Sequence, residues 1–140
     1  MNKKVVNAKT TLIGDIRFKS LFESRIYKFL KDNNYSFEYE PKKYILQKGF
    51  KPNIPFYRKT SKGFTQDSSK IRDTTYSPDF IVYLGNIKLI IEAKGFKTDS
   101  YNIKVKLFRK LLEEENNVVF AEIKSIKELK TILQLYEETK

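Results

Sequence analysis

Two short apolar runs near the middle of the chain predict a β-hairpin. Residues 80–84 (Phe-Ile-Val-Tyr-Leu) and 87–91 (Ile-Lys-Leu-Ile-Ile) are separated by Gly85-Asn86, a pair typical of a two-residue hairpin turn. Counting outward from that turn pairs Tyr83 with Lys88 and Asp79 with Glu92. Because side chains alternate along a strand, one face of the hairpin is wholly apolar and is predicted to be core: Phe80, Val82, Leu84, Ile87, Leu89 and Ile91.

The N-terminal half predicts one helix and two strands. The helix runs from Asp15 or Ser20 to about Asn33, with apolar residues at helical spacing. Residues 36–40 alternate as a strand, which resumes at residues 43–46. Residues 1–14 lack periodicity and are expected to be a loose, flexible arm. Residues 48–69 are expected to be a long loop, or an excursion with little regular structure. The stripe of the helix is Leu21, Phe22, Ile26, Phe29 and Leu30.

The C-terminal half adds a strand before the hairpin and three elements after it. The first strand is expected over residues 71–76. A helix is expected over about residues 101–115, because Thr98-Asp99-Ser100 is an N-cap cluster. Residues 118–123 predict a strand, and Ser125 is predicted to cap a last helix. The order of elements predicts a single α/β domain over residues 1–140, with a mixed sheet flanked by helices. The inward residues are Ile103, Leu107, Phe108 and Leu111 in the first helix, and Ile126, Leu129, Ile132, Leu133 and Tyr136 in the last.

The composition of the chain favours some classes of function and excludes others. The chain has 28 Lys and Arg against 17 Asp and Glu, a net charge of +11, which indicates an acidic partner and most simply nucleic acid. A membrane surface is a less favoured partner than nucleic acid, because no strongly basic amphipathic helix stands out and no apolar run approaches the length of a bilayer span. The N-terminus does not resemble a signal peptide. The chain has no Cys, which fits a cytoplasmic protein. It has no His either, which excludes His-based triads and His-ligated zinc or iron sites.

The polar residues of the hairpin suggest metal chemistry. The predicted register places Asp79, Glu92 and Lys94 on one face. Two carboxylates facing each other repel, and a hard cation between them would remove the repulsion, since Mg²⁺ favours one or two carboxylates together with a substrate phosphate. A nearby Lys can neutralise phosphate charge or help to deprotonate water. The competing interpretation is an ordinary strand start followed by a solvated Glu-x-Lys face.

Ser77-Pro78-Asp79 together with Glu92-Ala93-Lys94 resembles the PD-(D/E)XK nuclease superfamily. That superfamily has a restriction-endonuclease-like α-β-β-β-α-β core, and the predicted order is similar. Within it, the chain most resembles small phage proteins related to endonuclease I-type Holliday junction resolvases. The resemblance covers about residues 18–123 and rests on Phe-Glu-Ser-Arg (22–25), Tyr-Glu-Pro (39–41), Ser-Pro-Asp-Phe (77–80) and Glu-x-Lys-Gly (92–95).

The resemblance implies a Mg²⁺-dependent endonuclease that cuts DNA, most simply branched DNA, in the cytoplasm of a bacterial host cell. Asp79 and Glu92 would hold one or two Mg²⁺ ions, for which Mn²⁺ would substitute, and the Ala93 carbonyl would add a ligand. Lys94 would orient or activate the attacking water, and Glu23 would bind a second metal or position a water. A homodimer is implied as well, because it would supply two sites for paired cuts.

Several alternatives stay open at the level of sequence. Ser20-x-x-Glu23 also fits a capping box, in which Glu23 bonds the Ser20 N–H. The protein could be another nuclease of the superfamily, restriction-like or cutting transposon ends, or a non-catalytic basic DNA-binding domain. An RNA-directed nuclease is a further alternative, because the composition of the chain fits an RNA substrate as well as a DNA substrate.

Two groups of basic residues are candidates for nucleic-acid binding. Lys104, Lys106, Arg109 and Lys110 lie on the second predicted helix, where a solvated face is an equally good explanation. The second group mixes charge with aromatic residues, a combination that suits exposed bases. A small satellite core under a loop is slightly favoured for that group, which consists of Lys51, Arg58, Lys59, Lys62 and Lys70 with Phe50, Phe56, Tyr57 and Phe64.

Overall fold

A mixed four-stranded sheet is the centre of the fold in the computed structural model, which describes residues 11–13, 16–94 and 97–137. The strands of this sheet are, in order, β10 (Val118–Ile123), β9 (Ile87–Ala93), β8 (Phe80–Leu84) and β3 (Ser36–Tyr39), with β9 and β10 parallel and the other neighbours antiparallel. With three helices in the described residues, the chain has the predicted α/β class. The elements are β1 (Thr11–Ile13), β2 (Ile16–Phe18), α1 (Leu21–Asp32), β3 (Ser36–Tyr39), β4 (Tyr44–Gln47), β5 (Tyr57–Thr60), β6 (Gly63–Gln66), β7 (Thr74–Tyr76), β8 (Phe80–Leu84), β9 (Ile87–Ala93), α2 (Asp99–Leu112), β10 (Val118–Ile123) and α3 (Ile126–Glu137).

The β8–β9 hairpin has the predicted register. Tyr83 pairs with Lys88, Ile81 with Ile90 and Leu84 with Ile87. Gly85 has φ +61°, as the first central residue of a type II′ turn requires, and this turn matches the twist of the two strands. The paired ladder ends at Phe80 and Ile91, so Asp79 lies one residue beyond it.

Both faces of the sheet carry a hydrophobic core. The predicted apolar face of the hairpin packs with residues of α1 and α3, including Ile26, Leu30 and Leu133, and this prediction is confirmed. The opposite face, which also carries Asp79 and Glu92, is covered in part by α2 and by the β4–β7 pair. A strand covered on both sides needs a nearly continuous apolar run, as β9 has. The second core consists of Tyr44, Tyr76, Ile81, Ile90, Tyr101 and Phe108.

The helices begin where the sequence predicts, but α2 turns a different face inward. The Oγ atoms of Ser20, Thr98 and Ser125 accept hydrogen bonds from backbone N–H groups three residues on, at 3.1, 3.0 and 3.1 Å. In α2, Leu111 packs against the second core and Phe108 is fully buried, as predicted. The inward prediction for Ile103 and Leu107 is wrong, because their side chains are 60% and 38% exposed. The rings of Tyr101 and Phe108 fill the interface instead, since they offer more area and pack against Tyr44 and Tyr76.

The prediction of a loose arm over residues 1–14 is wrong for β1. This strand pairs with β2 in an antiparallel ribbon, with Thr11 opposite Phe18. Phe18 is fully buried, with its ring 4.8 Å from that of Tyr39 and 5.1 Å from that of Tyr27. Three-residue strands are too short for a periodic signal, and the ribbon depends on this tertiary packing. Residues 1–10 and 14 lie outside the described part of the chain.

The prediction of little regular structure over residues 48–69 is also wrong. Strands β5 and β6 form a hairpin there, closed by a turn in which Gly63 has φ +97°. At its base, Phe50 and Ile71 form a bridge that extends the β4–β7 pair, while β7 itself begins at Thr74 rather than at residue 71. A Cβ atom on Gly49 would lie 2.3 Å from the Ile71 carbonyl oxygen, so the two strands approach closely only because residue 49 is glycine.

Within the described residues, no helix is both long enough and apolar enough to cross a bilayer.

Candidate active site

Backbone contacts fix Asp79 between β3 and β9. Its N–H donates to the Ile91 carbonyl at 3.1 Å, and its carbonyl accepts from the Glu40 N–H at 2.7 Å. Its carboxylate Oδ2 accepts from the Ala93 N–H at 2.8 Å. The residue is 4% exposed. The Ser-Pro-Asp segment therefore delivers a buried carboxylate to the end of β9, as the hairpin pattern predicts.

Glu92 projects from β9 into the same region and is 6% exposed. Its Oε1 accepts a short hydrogen bond from the Tyr76 hydroxyl. Its Oε2 lies 4.0 Å from Lys94 Nζ. The prediction that Glu92 and Lys94 share a face is therefore confirmed. Gly95, the last residue of the Glu-x-Lys-Gly motif, lies outside the described part of the chain.

Glu23 reaches this region from α1, and its contacts differ from those of a capping box. The Glu23 N–H donates to Ser20 Oγ at 3.1 Å, so the Ser20 side chain caps the helix. The Glu23 carboxylate accepts from that same hydroxyl at 3.1 Å and from the Tyr39 hydroxyl at 3.5 Å, whereas a capping box would direct it to the Ser20 N–H. Glu23 is 5% exposed. Its carboxylate therefore lies beside the N-cap hydroxyl and interacts with Asp79, without the bond to the Ser20 N–H that a capping box requires.

The three carboxyl groups interact strongly. Burial raises the pKa of Glu23 to about 8, and the charge of Asp79 and a hydrogen bond with it add to the effect. Burial likewise raises the pKa of Glu92 to about 9, again with contributions from the charge of Asp79 and a hydrogen bond with it. Asp79 thus lies between the two glutamates. Near neutral pH, the cluster holds protons that ordinary carboxylates would have released.

Two lysines flank the cluster, and the sequence predicted one of them. Lys94 contacts Glu92 and lies 4.2 Å from the ring centroid of Tyr101. Lys19 was missed: its Nζ is 3.6 Å from Asp79 Oδ1 and 3.0 Å from Glu40 Oε1. Burial lowers the pKa of Lys19, but the charge of Asp79 and a hydrogen bond with Glu40 outweigh that effect and raise it to about 12. The burial of Phe18 holds Lys19 in place, and no sequence motif marks that contact.

A second polar layer lies beside Glu92 and was not predicted. Glu122 of β10 is the register partner of Glu92. Its Oε2 accepts from the Tyr101 hydroxyl at 2.8 Å and lies 3.6 Å from Lys97 Nζ. Because Glu122 lies within a mostly apolar strand, its position beside the site follows only from the parallel pairing of β9 and β10.

The chemistry of this donor set fits a hard divalent cation. Three buried carboxyl groups converge from α1, the start of β8 and the end of β9, and burial together with like charge raises the pKa values of Glu23 and Glu92. The Ala93 N–H faces Asp79, and the carbonyl of a strand residue points to the same side as its N–H, so the Ala93 carbonyl is directed there too. In the described ranges, however, no three or more Asp and Glu side chains are arranged as they stand so that they could hold a metal ion. Each carboxyl group is instead held by its own donor: Glu23 accepts from Ser20, Glu92 from Tyr76, and Asp79 from the Ala93 N–H.

The basic groups predicted to bind nucleic acid lie outside this cluster. Lys106, Arg109 and Lys110 are exposed on α2, where Lys110 pairs with Glu113 at 3.9 Å, and Lys104 is half-buried. Arg58, Lys59 and Lys62 lie on or beside the β5–β6 hairpin and are exposed. A phosphate-binding role for either group remains a prediction. The interpretation of the hairpin aromatics as a satellite core is wrong, because Phe50, Phe56, Tyr57 and Phe64 are 46–75% exposed.

One family model matches most of the chain. It is described as "Protein of unknown function (DUF1064)" and matches residues 3–131, so the chain belongs to this family. No curated protein matches the chain. The description of the family assigns no activity.

Proposed function

We propose that the protein is a divalent-metal-dependent nuclease of the PD-(D/E)XK type that hydrolyses phosphodiester bonds in DNA. The observation that carries the proposal is the convergence of Glu23, Asp79 and Glu92, all buried, with Lys94 beside them. Burying three carboxyl groups together is unfavourable unless they bind protons or a cation. A site that costs stability in this way is typical of function rather than of structural support.

The order of elements supports the restriction-endonuclease-like core. Leaving aside the β1–β2 ribbon and the elements between β3 and β8, the chain runs α1, β3, β8, β9, α2, β10. This is the α-β-β-β-α-β order that the resemblance implies. The residues that match the superfamily motif lie at the start of β8 and the end of β9, where the carboxyl groups meet.

Each residue has a role that its contacts support. Asp79 and Glu92, with the Ala93 carbonyl and Glu23, would hold Mg²⁺ or Mn²⁺, which when bound supplies Lewis acidity at a phosphate oxygen and lowers the pKa of a bound water. Tyr76 keeps one oxygen of Glu92 in place through its hydrogen bond, so that the other stays on the side of Lys94. Lys94 offsets charge that develops on the phosphate or orients the attacking water. Lys19 balances the charge of Asp79.

Branched DNA is the proposed substrate, and a homodimer the proposed assembly. Both rest on the resemblance to junction resolvases, and the charge of +11 supports a nucleic-acid partner in general. A paired-cut mechanism would need two such sites in one assembly.

The test is a cleavage assay on four-way, nicked, duplex and single-stranded DNA and on RNA, with Mg²⁺ and with a chelator. We expect cleavage only with metal and fastest on the four-way substrate. Asp79→Asn and Glu92→Gln should abolish it while the fold is retained, and Glu114→Gln, at an exposed position, serves as the matched control. If both site variants cut at the wild-type rate, the site assignment is wrong. If the wild type cuts none of the substrates, the protein is better described as a nucleic-acid-binding domain.

A further inference from the structure

The β5–β6 hairpin stands apart from both cores. Its strands pair with each other, while no other described element packs extensively against them. All four residues of β5 are exposed. The hairpin is nevertheless anchored, because the bridge between Phe50 and Ile71 joins its base to the β4–β7 pair. That pair includes Tyr76, whose hydroxyl donates a hydrogen bond to Glu92. The hairpin therefore extends from the strands that cover the carboxylate face of the sheet.

One face of this hairpin is an aromatic platform. Tyr57 and Phe64 stack with ring centroids 5.8 Å apart and planes 10° from parallel. They remain 49% and 75% exposed, so ring surface is open to solvent. In the register of the hairpin, Lys59 is directly opposite Phe64, and Gln66 is opposite Tyr57. Opposed residues share a face, so a cation and an amide border the rings.

The surroundings of the platform are strongly basic. Residues 48–73 contain seven Lys or Arg and two Asp. One of those aspartates, Asp67, already pairs with Arg58 at 3.4 Å, and the Arg58 guanidinium lies 4.8 Å from the ring centroid of Phe56. Exposed flat rings among uncompensated cations are suited to nucleobases and phosphates, because every base offers a π-face and each nucleotide a negative charge.

A membrane surface is less well matched. The tip of the hairpin consists of Thr60, Ser61, Lys62 and Gly63, and the rings lie on its flank. An inserting hairpin would carry its apolar residues at the tip, where they reach the bilayer first.

We propose that the β5–β6 hairpin binds unpaired bases of the nucleic-acid substrate. A base stacks on the Tyr57–Phe64 platform, and Lys59 and Lys62 contact the neighbouring phosphates. The proposal rests on the proposed function for the identity of the substrate, and it adds that single-stranded or unpaired nucleotides are recognised away from the carboxylate cluster.

The test measures binding without cleavage, so that its outcome does not depend on the nuclease assay. Oligonucleotides with 2-aminopurine in an unpaired stretch, and matching full duplexes, are titrated in chelator with wild type, Phe64→Ala, Tyr57→Ala, Phe64→Trp and Ile54→Ala. Ile54 is the matched control, because it is 76% exposed on the same segment and has no ring. We expect Phe64→Ala to bind unpaired DNA about 5- to 100-fold more weakly and to lose 2-aminopurine quenching. Phe64→Trp should retain both, and Ile54→Ala should match wild type.

Four results would overturn the proposal. In the first, Phe64→Ala binds unpaired DNA as Ile54→Ala does. In the second, Phe64→Ala weakens binding to duplex DNA as much as binding to unpaired DNA, which indicates a general effect on the protein surface. In the third, wild type binds vesicles of anionic phosphatidylserine, and Phe64→Ala loses that binding but keeps the wild-type affinity for unpaired DNA. In the fourth, Phe64→Ala only converts a dimer to a monomer in sedimentation. If the wild type cleaves DNA but Phe64→Ala binds unpaired DNA as tightly as the wild type, the hairpin proposal alone is refuted. If the hairpin binds unpaired bases but the wild type cleaves no substrate, the nuclease proposal alone is refuted.

Discussion

The stability of the metal-free protein should fall as pH rises through the neutral range. Folding raises the pKa of Glu23 to about 8 and that of Glu92 to about 9, from about 4.5 for an ordinary glutamate. The folded state therefore binds protons that the unfolded chain releases. The resulting stabilisation is complete below about pH 4.5 and is lost as pH rises through 8 to 9.

The magnitude follows from linkage. For each proton that the folded state holds in excess of the unfolded state, the free energy of unfolding falls by about 1.4 kcal/mol per unit rise in pH. One such proton between pH 6 and 8 corresponds to about 3 kcal/mol, or roughly 10 °C in Tm for a chain of this size. The chain is well suited to the measurement, because without His or Cys no other side chain has its ordinary pKa in this window.

The variant Asp79→Asn should reduce this pH dependence of stability. It removes the charge that both glutamates face and keeps an oxygen that can accept from the Ala93 N–H. Because Glu23 and Glu92 remain buried, the slope of the free energy of unfolding against pH should shrink to about half rather than vanish. At pH 8 the variant should be about 1–3 kcal/mol more stable than wild type.

The assay is thermal or urea unfolding from pH 6 to 9 in chelator, with Glu114→Gln as the exposed control. Millimolar Mg²⁺ at pH 8.5 should restore the stability of wild type but not that of Asp79→Asn, because metal binding displaces the protons of the glutamates. A flat wild-type profile, or the same slope in Asp79→Asn, would refute the coupling of the three carboxyl groups.

Four further variants test single contacts. Glu23→Gln should lose most cleavage activity with little change in Tm, because Ser20 caps the helix independently of the Glu23 carboxylate; a large fall in Tm would show a structural role instead. Lys94→Ala should bind a four-way junction without metal nearly as well as wild type but cut it at least tenfold more slowly, and equal modest losses would reduce Lys94 to one surface charge among many. Tyr76→Phe should cost about 1 kcal/mol in urea unfolding and lower kcat, whereas unchanged values would mean that its bond to Glu92 is dispensable. Gly49→Ala should lower Tm and increase proteolysis of residues 48–73, because the new Cβ would meet the Ile71 backbone; unchanged resistance to protease would contradict that close approach.

Local patterns in the sequence were sufficient for the elements that carry the site. The Gly-Asn turn and the alternation around it determine the β8–β9 register, because a shift of one residue would turn Lys88 and Glu92 toward the core formed with α1 and α3. The same alternation places Glu92 and Lys94 on one face. Side-chain caps at Ser20, Thr98 and Ser125 mark the helix starts, because the hydrogen bonds involved span only three residues.

Contacts between distant parts of the chain determine the remaining features of the site. Lys19, Tyr76, Tyr101 and Glu122 reach the site through contacts distant in sequence, and no local spacing encodes them. The inward face of α2 depends on which rings fit against Tyr44 and Tyr76, a matter of shape that helical periodicity leaves open. The direction of the Glu23 carboxylate also depends on packing, since it accepts from the Ser20 hydroxyl and interacts with Asp79 rather than bonding the Ser20 N–H. Burial and like charge act through space, so the chemistry of the site depends on how α1, β8 and β9 meet.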